Sequence, residues 1–168
     1  ILVNATMNQD PYYVRDNATI RDVADLMVLH KTSGLPIVNE TSEVVGFISD
    51  GDIMKYLGRQ DSTVLDSTNM LYQVPDDENL ALRAVTLLEL NVMKIATKNA
   101  ICVDSQTPIE DACKLLAEKR LKKVPVVDDG KLVGSLSRSD IIRSTMENLT
   151  EIERQVREMG KHYDEVVE

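Results

Sequence analysis

The hydrophobic pattern of the chain contains one short unit that occurs twice. Residues 124–127 are apolar and mostly β-branched, Asp129-Gly130 is typical of a two-residue hairpin turn, and residues 132–136 supply a return strand. A helical pattern begins directly after Ser137. Residues 35–52 have the same order of strand, turn, strand and helix start. The pattern therefore predicts two hairpins, each of which leads directly into a helix.

A strand and an amphipathic helix precede the first hairpin. The strand is predicted over residues 12–14, and apolar residues then recur at helical spacing from Ile20 onward. Asn17 and Thr19 are both candidates for the N-cap of this helix. The helix is expected to end near Lys31, because a glycine and an X-Pro pair follow it.

The second copy has the same elements before its hairpin. A strand is predicted over residues 100–103, and the helix after it has a clear start signal. Thr107 is the expected N-cap, with Pro108 at the first helical position and Glu110 at the third. Each copy therefore has the predicted order β-α-β-β-α.

A constant offset between the copies supports an internal repeat. An offset of 89 residues aligns Pro36 with Pro125, and an offset of 88 aligns Asp52 with Asp140. The change from 89 to 88 places a one-residue length difference at the tip of the first hairpin, where such a change is tolerated. The proline in each apolar run predicts an edge strand or a strand start.

The repeat divides the chain into four segments. We expect a first unit over residues 1–58, a connector over 59–91, a second unit over 92–147 and a charged helical tail over 148–168. The connector is predicted to be loop-like over 58–69 and helical over 79–90. The tail is either a solvated helix or one that packs on another subunit or on the rest of a longer protein. Because the chain begins with Ile1 and not Met, we expect either a piece of a longer polypeptide or a chain that has been trimmed at its start.

Composition narrows the range of functions. Hydrophobic residues make up 43% of the 168 residues but aromatic residues only 4%, so the core must be aliphatic. A net charge of −9 argues against general nucleic-acid binding, which needs a basic surface. No apolar run is long enough to span a bilayer, and no signal-peptide pattern opens the chain. Cys102 and Cys113 lack metal-ligand spacing, which indicates reduced thiols and a cytoplasmic setting.

The repeated motifs resemble those of a tandem pair of CBS domains. The residues that carry the resemblance are LPIV with GFISDGD in the first copy and VPVV with GSLSRSD in the second. The resemblance implies an α/β (α+β) fold in which two pseudo-symmetric β-α-β-β-α units pack sheet to sheet. It also implies a homodimer, and a regulatory module that binds AMP, ADP or ATP in the cleft between the units. S-adenosylmethionine in place of a nucleotide stays open.

The resemblance assigns ligand contacts to three groups of residues. The ribose contacts are Ser49, Asp52, Ser137 and Asp140. The positions beside the adenine are Tyr13, Val14, Gly34, Leu35, Cys102, Val103, Lys123 and Val124. Candidate phosphate contacts are Arg138 and Ser139 at the start of the second repeated helix, and Lys122 just before the second proline strand. Asp140 is expected to matter more than Asp52, because Arg138 follows the serine in the second copy whereas Asp50 follows it in the first.

The Ser-x-x-Asp motifs and several other charged positions also have a simpler structural explanation. Ser-x-x-Asp is close to a capping box, in which the two side chains only stabilise the start of a helix. Lys119 suits the C-terminus of the helix before it, and His30 suits an ordinary partly exposed helix position. The acidic run 76–78 suits a helix N-terminus better than a metal site.

No catalytic constellation is visible, so we expect a protein that is not an enzyme and that holds no metal or cofactor. Two alternatives to nucleotide sensing stay open. One is a CBS pair with empty clefts that acts as a dimerisation scaffold. The other is a divalent-ion sensor that belongs to a larger transporter or enzyme. No membrane contact is expected for this piece, which leaves room for a membrane or enzyme domain elsewhere in the full-length protein.

Overall fold

The structure, a computed structural model, describes residues 1–59, 64–67, 70–73 and 76–167. The chain forms two compact units. The N-terminal unit consists of Tyr12–Ile101 and Asp129–Leu132. The C-terminal unit consists of Ile1–Pro11, Cys102–Asp128 and Val133–Glu168. Both contain helices and a small sheet, which confirms the predicted mixed α/β class.

The N-terminal unit is built on a four-stranded sheet. Its elements in chain order are β1 (Val14–Arg15), α1 (Ile20–His30), β2 (Gly34–Val38), β3 (Val44–Ser49), α2 (Asp50–Leu57), β4 (Val64–Ser67), β5 (Met70–Gln73), α3 (Asp76–Glu89) and β6 (Thr97–Lys98). The sheet order is β1-β2-β3-β6, with β1 parallel to β2 and the other neighbours antiparallel. β4 and β5 form a separate antiparallel hairpin.

The C-terminal unit is built on a three-stranded sheet of order β7-β8-β9. Its elements in chain order are β7 (Val103–Asp104), α4 (Ile109–Glu118), β8 (Lys123–Asp128), β9 (Lys131–Ser137), α5 (Arg138–Glu147) and α6 (Leu149–Val167). Asp129 and Gly130, which join β8 to β9, both have positive φ, at 51° and 78°. This is the conformation of a two-residue hairpin turn, as the Asp-Gly pair predicted. None of the helices described is both long and apolar enough to cross a membrane.

The strand register confirms the internal repeat. Val14 pairs with Ile37 in the first sheet, and Val103 pairs with Val126 in the second, so both pairs are related by the offset of 89. The cores are equivalent as well, because two apolar residues of the first hairpin strand and one of the second are fully buried at matching positions. These residues are Leu35, Ile37 and Ile48 in one unit and Val124, Val126 and Leu136 in the other. The cores are aliphatic, as the composition required.

A short 3₁₀ turn completes each core from outside the contiguous repeat. Val3 donates its backbone N–H to Thr107 O over 2.9 Å, and Val92 donates to Ala18 O over 2.9 Å. Both valines are fully buried, and they too are related by the offset of 89. The lead-in residues 1–11 therefore pack with the C-terminal unit, whereas the segment around Val92 packs with the N-terminal unit. This division differs from the contiguous boundaries drawn from the sequence.

The segments that follow these two 3₁₀ turns also explain why each repeated motif contains a glycine. A Cβ on Gly134 would lie 2.8 Å from Asn8 O, and a Cβ on Gly46 would lie 3.0 Å from Thr97 O. Asn8 and Thr97 are again equivalent by the offset of 89. Each glycine thus sits where the incoming segment crosses the strand, and its missing side chain lets the two backbones approach.

Two details of the sequence interpretation are wrong. The N-cap of α4 is Pro108 and not Thr107, because Pro108 is the residue with extended backbone (ψ 139°) that directly precedes the helix. No side chain of the N-cap residue bonds to this helix start. β2 and β8 are central strands, so the edge-strand alternative is wrong, whereas Pro36 and Pro125 lie near the start of their strands, each at the third residue. The prolines are tolerated because β1 and β7 pair only with residues beyond them, so each proline has a strand on one side only.

The connector also differs in part from the loop expected over residues 58–69. Val64–Ser67 is a strand, because it pairs in register with Met70–Gln73. The rest of the loop prediction at 60–63 and 68–69 lies outside the described residues. α3 begins at Asp76, three residues before its predicted start, so the acidic run opens a helix. The predicted tail helix is confirmed as α6.

Candidate ligand-binding site

The two strand-to-helix junctions carry the candidate ribose residues, and both are complete capping boxes. In the N-terminal unit, Ser49 N donates to Asp52 Oδ2 over 2.9 Å, and Asp52 N donates to Ser49 Oγ over 3.3 Å. In the C-terminal unit, Ser137 N donates to Asp140 Oδ2 over 2.9 Å, and Asp140 N donates to Ser137 Oγ over 3.1 Å. The capping interpretation of Ser-x-x-Asp is therefore confirmed for both copies.

A third capping box shows that this motif alone does not mark a ligand site. Thr19 and Asp22 cap α1 in the same way, at a position that the sequence gave no reason to link to a ligand. The α1 box is exposed, whereas the bonds of the other two boxes are partly buried. What distinguishes the two junctions is therefore their surroundings and not the motif.

Backbone hydrogen bonds join each helix start to the residues that precede the proline strand. Asp50 N donates to Ser33 O over 2.8 Å, and Gly34 pairs directly with Ser49 across the hairpin. In the other unit Arg138 N donates to Lys122 O over 3.0 Å. Each junction thus brings its predicted ribose residues next to the residues predicted to lie beside the adenine.

The two aspartates differ in their remaining capacity for hydrogen bonds. Oδ1 of Asp140 accepts from Nη2 of Arg143 over 2.7 Å, and the Asp140 side chain is only 12% exposed. Among the described residues, no side chain or backbone group donates to Oδ1 of Asp52. Sequence reasoning did not find Arg143, although an Arg three residues after an Asp in a helix is the available signal.

Lys123 lies near Asp140 at the start of β8. Burial lowers the pKa of the Lys123 ammonium, and the negative charge of Asp140 partly opposes that shift. The equivalent position in the N-terminal unit is Gly34, where a Cβ would collide with the Phe47 ring at 2.7 Å. One junction therefore places a half-buried cation near the Asp140 carboxylate, and the other has no side chain at the equivalent position.

The three predicted phosphate contacts, Arg138, Ser139 and Lys122, differ in their surroundings. Arg138 donates from Nε to Leu121 O over 2.7 Å and from Nη2 to Leu116 O over 3.4 Å. Its guanidinium therefore satisfies carbonyl groups at and after the end of α4, a role that its position in the sequence did not reveal. Ser139 Oγ lies 2.9 Å from Ser137 Oγ, and the Lys122 side chain is exposed.

The predicted adenine positions divide into core residues and accessible residues. The core residues, which are at most 6% exposed, are Val14, Leu35, Val103 and Val124. Tyr13 is 51% exposed, and Cys102 is half-buried, which raises the pKa of its thiol. Tyr12, which the sequence analysis did not single out, stacks on His30 with ring centres 3.8 Å apart. Among the residues predicted to lie beside the adenine, the accessible side chains are therefore those of Tyr13, Cys102 and Lys123.

Metal binding has no support in the side chains that the structure describes. No group of three His, Cys, Asp or Glu residues in that part of the chain could hold an ion. The side chains of the acidic run 76–78, which the ion-sensor hypothesis requires, lie outside the described residues.

Comparison with known protein families gives a direct match to both repeats. Residues 3–59 and 92–147 match the family model described as CBS domain. CBSX2, a chloroplastic CBS domain-containing protein of Arabidopsis thaliana, is 29% identical over 153 residues, which cover 88% of this chain and 64% of the plant protein. The chain thus spans less than two thirds of the length of that relative.

Solved structures agree with this match. The crystal structure of CBSX2 in complex with AMP has a TM-score of 0.66 and 28% identity, and the alignment covers 87% of this chain and 96% of CBSX2. The CBS domain pair of protein MJ0100, in complex with 5′-methylthioadenosine and S-adenosyl-L-methionine, has a TM-score of 0.62 and 25% identity, covering 85% and 98% of the two chains. The resemblance carried by the paired motifs is confirmed, and the chain belongs to the CBS domain family.

Proposed function

We propose that this chain is a non-catalytic regulatory module that binds an adenosine-containing ligand such as AMP, ADP or ATP. The observation that carries the proposal is the duplicated strand-to-helix junction, which places Asp52 or Asp140 beside the residues that precede a proline strand. A carboxylate at this place suits the vicinal hydroxyls of a ribose, which are paired donors. The thiols Cys102 and Cys113 fit a reducing compartment such as the cytoplasm.

The ligands of related structures support the adenosine part of the proposal. CBSX2 was crystallised with AMP, and the MJ0100 domain pair with 5′-methylthioadenosine and S-adenosyl-L-methionine. These three molecules share adenosine and differ at the 5′ position. In this chain Asp52 and Asp140 would hold the ribose, and Tyr13 and Cys102 are accessible for contact with a base.

The C-terminal unit supports the choice of a phosphorylated ligand. Lys123 lies near Asp140, and Arg143 donates to the same carboxylate. In the first turn of α5 the N–H groups of Arg138 and Asp140 already donate to Lys122 O and Ser137 Oγ, so the N–H of Ser139 is the candidate for a phosphate oxygen. The corresponding turn of α2 carries Asp50 and Asp52, which would repel a phosphate. We therefore expect Asp140 to matter more for AMP, and Asp52 to matter as much for adenosine.

A second candidate function is a dimerisation scaffold, and exposed apolar side chains favour it. α2 directs Ile53 and Leu57 to the core of its unit, whereas Met54 on the same helix is 59% exposed. On α5, Ile142 and Met146 are 65% and 62% exposed. We propose that these faces are covered in a homodimer, which is compatible with ligand binding. If the protein forms a dimer but binds no adenosyl compound, the dimerisation scaffold is the function that remains.

Conservative substitutions of the capping aspartates test the proposed ligand site. Asn in place of Asp keeps an acceptor for the helix N-terminus but removes the charge that strengthens bonds to ribose hydroxyls. Each such bond is worth about 1.5–3 kcal/mol, which corresponds to about a 10- to 100-fold loss in affinity. Calorimetric titration should show this loss for Asp140→Asn with AMP, and a smaller loss for Asp52→Asn with the same ligand.

The matched control is Asp22→Asn in the capping box of α1. It makes the same chemical change at the same helical position, away from both candidate junctions. AMP affinity should be unchanged in this variant. If all three variants bind AMP as the wild type does, the two junction aspartates only cap helices and the proposed site is wrong.

A further inference from the structure

The terminal helix α6 carries a regular apolar stripe. Its apolar residues alternate at intervals of three and four, and we call these six residues the seam: Leu149, Ile152, Val156, Met159, Tyr163 and Val166. Alternation of three and four is the heptad spacing of a coiled coil, which keeps one line of side chains facing a parallel or antiparallel partner helix. Five of the six are between 40% and 72% exposed, and Ile152 is partly buried.

The charges of α6 avoid the seam. The helix has eight charged residues, and only Glu153 occupies a position that flanks the seam. The remaining flanking residues are uncharged: Asn148, Gln155, Gly160, His162 and Val167. On the opposite face Arg154 pairs with Glu151 and Glu158, each over 2.6 Å, so these charges are satisfied within the helix. The seam and its flanking positions therefore form a face that suits an apolar and almost uncharged partner surface.

We propose that α6 pairs through the seam with α6 of a second copy of this chain, as a short two-stranded coiled coil. A second copy offers the same nearly charge-free face, and the two-fold pairing of identical surfaces is the commonest form of self-association. The area is sufficient but small. Each of the five exposed seam side chains has on the order of 100 Å² to bury, so two helices remove about 1,000 Å² in total, which is the lower limit for a specific interface.

Two other occupants fit the helix less well. A membrane-surface helix typically has a basic polar face, whereas the outer face of α6 has four acidic and three basic residues. A basic partner protein would need acidic residues beside the seam, and Glu153 is alone there. This pairing is separate from the dimer proposed through α2 and α5, and it does not depend on a bound ligand.

The test compares two double variants of the full chain that each introduce two glutamines. Val156→Gln with Met159→Gln replaces two seam residues and leaves the net charge unchanged. Arg157→Gln with Glu158→Gln replaces two outer residues and also leaves the net charge unchanged. Gln is a good helix former, so α6 can persist in both variants, and circular dichroism verifies it. Sedimentation equilibrium is then measured over concentrations that bracket the dissociation constant of the wild type.

The proposal predicts that the seam variant raises the dissociation constant by at least about tenfold, as expected when central interface residues are truncated. The outer variant should stay within about threefold of the wild type. Because each chain carries −9, added salt should strengthen the association by screening repulsion. Equal association of both variants, a monomeric wild type at about 100 μM, or loss of association in salt would each overturn the proposal.

Discussion

Arg143 donates from Nη2 to Oδ1 of Asp140 over 2.7 Å, while Oδ2 of that carboxylate accepts from Ser137 N over 2.9 Å. Both oxygens of Asp140 therefore have a donor before any ligand binds. The equivalent Asp52 keeps Oδ1 available, because no described group donates to it. The two junctions are alike in backbone and capping. A ribose would have to displace Arg143 from Asp140, whereas at Asp52 it would meet an oxygen to which no described group donates.

The displacement of Arg143 should cost little. The Arg143 side chain is 59% exposed, although that of Asp140 is only 12% exposed, and pairs at this spacing on a helix surface contribute about 0.2–0.5 kcal/mol. A ribose hydroxyl bonded to a carboxylate contributes about 1.5–3 kcal/mol, so the ligand should win. We predict that Arg143→Gln changes adenosine affinity by less than about threefold in calorimetric titration. An increase of tenfold or more would show that the ion pair blocks the site.

The Lys123 ammonium gives AMP binding a distinct pH dependence. Burial holds the pKa of Lys123 below the usual lysine value, so it loses its proton earlier than an exposed lysine as the pH rises. A phosphate binds the protonated form. The ratio of AMP to adenosine affinity should therefore fall as the pH rises through that lowered pKa, and Lys123→Gln should abolish the fall. An unchanged ratio in the wild type over that range would remove Lys123 from the phosphate site.

The core of the N-terminal unit includes residues from beyond the first repeat, and this predicts which fragment can fold. Leu87 and Val92 are 3% and 0% exposed in the core of the N-terminal unit, yet both lie beyond residue 58. A fragment of residues 1–58 should therefore be unfolded, because it leaves that core open. The matched fragment 12–101 contains every buried residue of this core and should show more dispersed amide resonances. A dispersed spectrum from residues 1–58 alone would refute this explanation.

The sequence was sufficient to predict the features that depend on local pattern. The repeat and the hairpin at Asp129-Gly130 follow from periodicity and turn chemistry, and the structure confirms both. For the N-cap of α1 the sequence left Asn17 and Thr19 open, and the structure selects Thr19. The exchanged segments were missed because Val3 and Val92 are an isolated match within otherwise dissimilar stretches. Single positions of this kind give no periodic signal, although their burial shows that tertiary packing selects them.

The candidate site shows what spacing along the chain cannot specify, which is the direction of the side chains. Arg138 has the right chemistry for a phosphate, yet its Nε and Nη2 donate to carbonyls at and after the end of α4. That choice depends on how α4 and β8 meet in space, which spacing along the chain does not specify. The burial of Lys123 near Asp140 likewise results from packing between elements that are distant in sequence.

The central claim is that this chain binds adenosine-containing ligands, and calorimetric titration of the wild type tests it most directly. Adenosine, AMP, ATP and S-adenosyl-L-methionine would each be titrated into the full chain at neutral pH. The account predicts saturable binding of AMP with a dissociation constant below about 1 mM, tighter than that of adenosine because of the cation near Asp140. Absence of saturable heat and of thermal stabilisation with all four compounds would contradict the account.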